Sequence, residues 1–324
     1  MQTYKYITLE ERVKISILLK EKKGPSEIGR ILGKDKSVIS REIKRNSSPG
    51  SYQIYSGVQA QKRFDERAKK KGRKSKIDDQ MKLEIKERLV KKWSPEQIVG
   101  RCKIDKVPMA SHETIYLYIY EDKKNGGDLF NNLRQSHRTR RKRRNKNDSR
   151  GQIIDRISIK DRPKVVEKRK RIGDWEGDTI VGHRHKSQIG TMVERMSKLT
   201  IIVALNQKTA QETADQFVRE MKNTALPIYT ITFDNGKEFS NHKQIAKELK
   251  TDVYFADPYS SYQRGTNENT NGLIRQYFPK GTDFSKVTIE HLKEVENELN
   301  NRPRKKLKFL TPNEYFRKSV AFKT

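Results

Sequence analysis

The chain has 324 residues, of which 72 are Lys or Arg and 41 are Asp or Glu, and its formal net charge is +31. A length of this order predicts two or three domains, and a positive field of this size attracts polyanions, so we expect nucleic acid as the partner. A single cysteine excludes a disulfide framework, and without a bilayer-length apolar run or a signal peptide we expect a cytoplasmic, nucleoid-associated protein with no membrane partner.

The first predicted domain covers residues 1–50 and contains three short helices, the second of which stops at Gly33. In the third helix Ile39 and Ile43 are four residues apart and face a core. A Gly-containing turn before a basic third helix indicates a helix-turn-helix that reads the major groove, although a small bundle with a solvated basic face has the same pattern. The residues predicted to contact DNA are Ser37, Ser40, Arg41, Lys44 and Arg45.

A basic helix or linker is predicted over residues 51–77, and a second helix-turn-helix-like domain over residues 78–135. Ser94, which precedes a proline, and Ser111 have the sequence context of helix N-caps. The tyrosines after Ser111 suit a core and rim as well as a base-stacking surface, so it stays open whether this domain reads bases. The core face of its first helix is predicted from apolar residues at helical spacing, which are Leu83, Ile85, Leu89 and Val90.

A basic linker is predicted over residues 136–165 and contains the segment "RTRRKRR". A run this dense repels itself until phosphates neutralise it, so we expect it to add salt-sensitive DNA binding without sequence readout. Its predicted phosphate-binding residues are Arg138, Arg140, Arg141, Lys142, Arg143 and Arg144.

The remaining domain, residues 166–324, changes to short apolar strands alternating with helices. The predicted order is three strands, a helix, a strand, a helix, a strand and a helix, in which an antiparallel meander leads onto parallel strands. The expected fold class is therefore multidomain, with an all-α N-terminal region and an α/β domain built on a mixed five-stranded sheet.

Acidic residues stand out in this basic chain because they occur where the predicted strands can bring them together. Asp174, Glu176 and Asp178 alternate along the first strand and share one face, where they repel one another unless cations are present. Asp234 ends the fourth strand, before an Asn-Gly pair that predicts a tight turn, and Glu268 lies in the first turn of a later helix. Hard oxygen ligands from separate segments are what Mg²⁺ requires, but each acid also has an ordinary structural explanation.

Three segments resemble the catalytic signatures of the IS-thirty family of bacterial insertion-sequence transposases: "GDWEGDTIVG", "TFDNGKEF" and "RGTNENTNGLIRQYFPKGTDF". The resemblance covers the whole chain, and 33 residues separate Asp234 from Glu268, as the family pattern expects. The position before Trp175 is often histidine in the family and is Asp174 here. The resemblance implies a DDE transposase with a ribonuclease-H-like catalytic domain, in which Asp178, not Asp174, is the first acid.

The resemblance further implies that Asp178, Asp234 and Glu268 bind two Mg²⁺ or Mn²⁺ ions and catalyse phosphoryl transfer. Water would free a 3′-hydroxyl at the element end, and that hydroxyl would attack the target DNA. We expect terminal inverted repeats and target DNA as partners, a homodimer or higher oligomer on paired ends, and a joined-end or circular intermediate. Helical spacing from the glutamate, together with a nearby lysine, adds predicted contacts to the DNA backbone, which are Asn271, Arg275 and Lys280.

Two alternatives share part of this pattern. A sequence-specific DNA-binding regulator derived from a transposase would carry a broken carboxylate triad, whereas all three acids are present in this sequence. A retroelement-type integrase would share the chemistry, but its zinc-binding His/Cys arm has no counterpart in a chain whose only cysteine is Cys102.

Overall fold

A computed structural model describes residues 6–48, 55–70, 76–134, 153–185, 187–224, 226–258 and 260–321. The chain divides into two compact units, Met1–Ser75 and Lys76–Thr324. Among the described residues, no helix has both the length and the apolar character needed to cross a membrane.

The first unit is a small helical domain whose second and third helices form a helix-turn-helix. Gly33 ends the second helix with φ of 61°, a left-handed conformation that favours glycine and turns the chain into the third helix. Ile39 and Ile43 are fully buried, as predicted, and pack with the core residues Ile15 and Ile28. The helices are α1 (Leu9–Lys20), α2 (Pro25–Leu32), α3 (Lys36–Asn46) and α4 (Gly57–Lys70).

A buried ion pair fixes α3 against α1. The Arg12 and Glu42 side chains are 2% and 9% exposed, and Arg12 Nε lies 2.7 Å from Glu42 Oε1. The same carboxylate oxygen accepts hydrogen bonds from Asn46 Nδ2 at 2.7 Å and from the Tyr55 hydroxyl at 3.1 Å. Because a buried charge is costly unless it is paired and hydrogen-bonded, these contacts hold the third helix in one position.

The second unit begins with three helices, α5 (Asp79–Val90), α6 (Pro95–Asp105) and α7 (His112–Lys124). Ser94 and Ser111 accept backbone hydrogen bonds from the first turns of α6 and α7, as the sequence predicts for N-caps. The predicted core face of α5 is half wrong, because Leu83 and Val90 are 65% and 60% exposed. The other two predicted residues, which are fully buried, are Ile85 and Leu89.

The rest of the second unit is an α/β domain with a five-stranded sheet in the order β3-β2-β1-β4-β5. β1 pairs antiparallel with β2 and parallel with β4, so the sheet is mixed and the predicted strand and helix order is confirmed. The strands are β1 (Asp174–Val181), β2 (Gln188–Glu194), β3 (Thr200–Leu205), β4 (Thr230–Phe233) and β5 (Asp252–Phe255). The helices are α8 (Val165–Lys168), α9 (Ala210–Asn223), α10 (His242–Leu249), α11 (Gly265–Ile274), α12 (Ile289–Asn300) and α13 (Pro312–Ala321).

Helices cover both faces of this sheet because the strands are apolar on both sides. Trp175 and Phe233 belong to a core that includes residues of α9 and α10. Ile180 and Leu273 belong to a second core, which includes residues of α11 and α12 on the other face. Since successive strand residues point to opposite faces, the even-numbered acids of β1 lie on the α11 side.

Candidate active site

Parallel pairing of β1 with β4 brings Asp178 and Asp234 to the same edge of the sheet. Glu176 is the register partner of Thr232, and each aspartate follows two residues later in its own chain segment. Neighbouring strands lie about 4.8 Å apart, so the two carboxylates come from adjacent backbone positions. The register of the sheet therefore sets the distance between these two acids.

The other two acids of β1 are already neutralised by protein groups. Asp174 is 1% exposed, accepts hydrogen bonds from Arg171 at 2.8 and 2.9 Å, and accepts another from Thr230 Oγ1 at 2.9 Å. Glu176 is fully buried and forms an ion pair with Arg195 at 3.2 Å. The predicted repulsion along this face is thus relieved at Asp174 and Glu176 by groups of the protein itself.

Arg264 lies between the two aspartates at the sheet edge. Its guanidinium nitrogens are 3.6 Å from Asp178 Oδ2 and 3.2 Å from Asp234 Oδ2, and one of them also donates to the Gly177 carbonyl at 3.0 Å. The sequence analysis did not identify this arginine. A signal that could have found it is its place in the segment "RGTNEN", where it is the N-cap residue of the helix that carries Glu268.

Asp178 is oriented by hydrogen bonds as well as by charge. Asn271 Nδ2 donates to Asp178 Oδ2 at 2.8 Å, and Thr191 Oγ1 donates to the Asn271 side-chain oxygen at 3.2 Å. The pKa of Asp178 is raised to about 6, chiefly because the side chain is buried; Arg264 lowers this pKa, whereas Asp234 and Glu238 contribute to raising it. A bound cation would stabilise the charged form of such a carboxylate, because the cation offsets the cost of burying the negative charge.

Asp234 stands at the turn that the Asn-Gly pair predicts. Its Oδ1 accepts a hydrogen bond from the Gly236 amide at 2.9 Å, which is an Asx turn. The turn does not make a hairpin, since the chain continues into a 3₁₀ turn, Lys237–Phe239, and the next strand is parallel. Another acid joins the site here, because Glu238 Oε1 accepts a hydrogen bond from Thr179 Oγ1 at 2.8 Å.

Glu268 lies in the first turn of α11 and is exposed. Its helix packs against β1 through Asn271, one turn further on, which contacts Asp178. The described residues contain no group of three or more His, Cys, Asp or Glu side chains arranged to hold a metal. The structure therefore brings Asp178 and Asp234 together around one guanidinium, and the role of Glu268 in this site stays a prediction.

Comparison with known proteins identifies one domain in each unit. Residues 3–46 match a family model described as a helix-turn-helix domain, and residues 168–261 match one described as an integrase core domain. The transposase for insertion sequence element IS4351 of Bacteroides fragilis is 47% identical over 323 residues, covering 98% of this chain and 99% of that protein. The chain belongs to the insertion-sequence transposases.

Further relatives agree with this assignment. The transposase for insertion sequence element IS1086 of Cupriavidus metallidurans is 36% identical over 318 residues, which cover 95% of this chain and 93% of that protein. Transposase InsI for insertion sequence element IS30A of Escherichia coli is 38% identical over 334 residues, which cover 98% of this chain and 84% of that protein. The resemblance to the IS-thirty family is therefore confirmed over nearly the whole length of the chain.

The residues predicted to contact DNA lie in different surroundings. Ser37, Arg41, Lys44 and Arg45 are exposed on α3 and Ser40 is half-buried; Arg41 donates to the Ser37 hydroxyl at 3.0 Å. The basic run of residues 138–144 lies outside the described residues.

The predicted contacts near Glu268 also differ from one another. Lys280 is exposed, whereas Arg275 donates to the Val181 carbonyl at 2.7 Å and to those of Phe278 and Pro279 at 3.4 and 3.3 Å. Asn271 faces Asp178. Contacts of these three residues with the DNA backbone remain predictions.

Proposed function

We propose that this chain catalyses transposition by binding the terminal inverted repeats of its element through α3 and by cutting and joining DNA strands at the edge of its sheet. The observation that carries the proposal is the juxtaposition of Asp178 and Asp234 beside one guanidinium. The chain that contains this pair is 47% identical to an insertion-sequence transposase. Both matched domains have their own part in this function, one in DNA recognition and the other in catalysis.

We propose Asp178, Asp234 and Glu268 as the residues that hold two divalent cations, Mg²⁺ or Mn²⁺. The donor set fits these metals, because all three groups are carboxylates and hard cations prefer oxygen ligands. A protein cation already lies within 3.6 Å of two of them, which indicates that the field at this edge attracts positive charge. When bound, such ions supply activation of the attacking oxygen and stabilisation of the leaving oxygen of a phosphodiester.

The surrounding side chains position the carboxylates. Thr191 and Asn271 form a chain of hydrogen bonds that ends on Asp178 Oδ2, so that this oxygen has one orientation. Arg264 holds Asp178 and Asp234 with their Oδ2 atoms facing the same guanidinium. Preorganised groups of this kind cost no reorganisation when charge develops on a reacting phosphate.

In the first unit, the exposed side of α3 would enter the major groove. Arg41 suits bidentate contact with guanine, and Lys44 suits a phosphate, so one would specify sequence and the other would position the helix. An element has two ends, and each chain supplies one Asp178–Asp234 pair. We therefore propose that at least two copies assemble on paired ends.

The test is strand cleavage of element-end DNA by the full chain with Asp234→Asn. This change keeps the size of the side chain and removes a carboxylate charge, so we expect DNA binding to persist while Mg²⁺-dependent cleavage is abolished. Asp252→Asn is the matched control, because Asp252 begins β5 and lies at the opposite end of the parallel strands. Cleavage by Asp234→Asn at the wild-type rate would show that the carboxylate assignment is wrong.

A further inference from the structure

A groove of about 570 Å³ lies within the second unit, between the helices α6 and α7 and the helix α11. Its size is within the roughly 300–1,000 Å³ of pockets that bury small ligands. Apolar and charged side chains share the lining, and the residues that matter here are Tyr116, Tyr120, Lys123, Phe130, Arg134 and Arg302. We call it the aromatic groove.

One wall of the aromatic groove presents aromatic rings with cations beside them. Tyr116 and Tyr120 stack one helical turn apart, with ring centroids 6.3 Å apart and planes inclined by 21°. Tyr120 is 56% exposed although it is a large ring, and Lys123 Nζ lies 4.2 Å from the centroid of Phe130. Exposed aromatic rings next to cations form the kind of surface on which unstacked bases bind, because the base stacks on the ring and the phosphate pairs with the cation.

The back of the groove is held in place by hydrogen bonds between α6 and the loop after α12. Arg302 is 2% exposed and donates to Gln97 Oε1 at 3.0 Å and to Gln276 Oε1 at 2.8 Å. Gln97 in turn donates to the Pro303 carbonyl at 2.7 Å. This wall is therefore formed before any ligand arrives, which lowers the cost of binding.

The groove ends beside the helix that carries Glu268. Arg134 donates to the Asn269 side chain at 3.0 Å and to its carbonyl at 3.3 Å, so it lies against α11 at the residue that follows that glutamate in the chain. A Cβ atom on Gly272 would lie 2.5 Å from Arg134 Nη2. Glycine inside a helix costs up to about 1 kcal/mol relative to alanine, and at this position it makes room for the arginine.

The charge of the groove also favours a nucleic-acid strand. Three cations line it, namely Lys123, Arg134 and Arg302, against one acid, Glu96. That acid is already paired with Lys305 at 3.2 Å. The net charge of the lining is therefore positive, and it attracts a phosphate towards the aromatic wall.

We propose that the aromatic groove binds an unpaired nucleotide of the DNA strand that enters the active site, with its base on Tyr120 and its phosphate between Lys123 and Arg134. This inference rests on the proposed function, because that function is what places a DNA strand next to the carboxylates. Unstacking a base costs a few kcal/mol, least where the strand is already single, so the groove selects DNA with an unpaired end.

The test uses the full chain in EDTA and a short DNA duplex with a single-stranded extension that contains 2-aminopurine, compared with the same duplex without the extension. We expect binding to quench the fluorescence of the extended duplex. Tyr120→Leu should weaken binding of the extended duplex about tenfold and leave the blunt duplex unaffected, because stacking on one ring is lost. Leu117→Ala is the control, since Leu117 is 68% exposed on the same helix and does not line the groove.

A second pair of variants tests the phosphate contact. Lys123→Gln should weaken binding of the extended duplex more than Lys124→Gln, which removes the same charge from the adjacent exposed position outside the groove. Equal binding and equal quenching by wild type, Tyr120→Leu and Lys123→Gln would overturn the proposal. Tyr120 is exposed and the buried residues of α7 are Ile115 and Ile119, so these changes leave the helical core intact.

The outcome separates the groove from the proposed function. Quenching is measured without metal, and it should persist in Asp234→Asn, which does not change the groove. If wild type cleaves element-end DNA but never quenches the probe, the groove proposal fails and the function stands. Quenching by a chain that shows no Mg²⁺-dependent cleavage supports the groove and overturns the function.

Discussion

Replacing Glu42 by alanine should strongly destabilise the first unit, because this carboxylate joins three of its segments. It accepts hydrogen bonds from Arg12, Asn46 and Tyr55 at 2.7, 2.7 and 3.1 Å. Glu42→Ala leaves Arg12, which is 2% exposed, as a buried charge without this partner. Breaking a buried pair by removing one partner costs about 3–5 kcal/mol.

That cost is comparable to the whole stability of the unit. At about 0.05–0.15 kcal/mol per residue, a domain of this size is stabilised by roughly 4–11 kcal/mol. We therefore expect amide exchange in peptides from α1 and α3 to accelerate by about a hundredfold or more, since each 1.4 kcal/mol is about a factor of ten.

Hydrogen exchange of the full chain measured by mass spectrometry reports each unit separately. Peptides of the five-stranded sheet should keep their wild-type protection, and Glu27→Ala, at an exposed position of α2, is the matched control. The double change Arg12→Met with Glu42→Leu should recover much of the loss, because it removes both charges together. Unchanged exchange of α1 and α3 in Glu42→Ala would refute the reasoning that this pair fixes the third helix.

Three further predictions concern single side chains. Arg264→Gln removes the cation between the two aspartates, so Mn²⁺ followed by electron paramagnetic resonance should bind more tightly; weaker binding would mean that the loss of the orientation Arg264 gives the carboxylates outweighs the loss of its competition with the metal. Lys44→Gln should reduce the slope of log affinity against log salt by about 1, whereas Arg41→Gln should relax sequence preference, and a footprint unchanged by both would count against α3 as the reading helix. Lys198 has φ of 64°, and burial lowers its pKa to about 8. Its folded pKa is below the unfolded value, so its charge destabilises the fold fully below about 8, and wild-type stability should rise as pH increases from there to about 10.5. Lys198→Gly should therefore gain stability in urea unfolding at pH 7, with about 1 kcal/mol from the backbone and the rest from the lost charge, and should gain less at pH 10; an equal gain at both would exclude the charge contribution.

Much of the fold could be predicted because local signals and burial agree. Ser94 and Ser111 cap helices as the sequence indicates, and the order of strands and helices in the α/β domain is the observed one. The error in α5 has a simple cause. Helical spacing finds two apolar stripes on that helix, and only tertiary packing decides that Ile85 faces the core while Leu83 does not.

The candidate site could be predicted in part for a related reason. Asp178 and Asp234 follow from the ends of paired strands and from the motifs, but their immediate partner Arg264 does not. The long side chain of an arginine can reach several neighbouring groups, and the sequence does not determine which of them it contacts. The Asn-Gly pair likewise predicts a turn, but only the parallel pairing of β4 with β5 excludes a hairpin.

The three proposed metal ligands differ in what fixes their positions in the fold. Asp178 and Asp234 are joined by the register of β1 and β4, which backbone hydrogen bonds determine. The position of Glu268 depends instead on the packing of α11, whose contact with this edge of the sheet includes the hydrogen bond from Asn271 to Asp178. Its carboxylate is exposed, so it can change rotamer without disturbing the buried residues of that helix. We therefore expect a metal site in which the sheet fixes two of the ligands, while the side chain of the third, Glu268, can adjust to the ion.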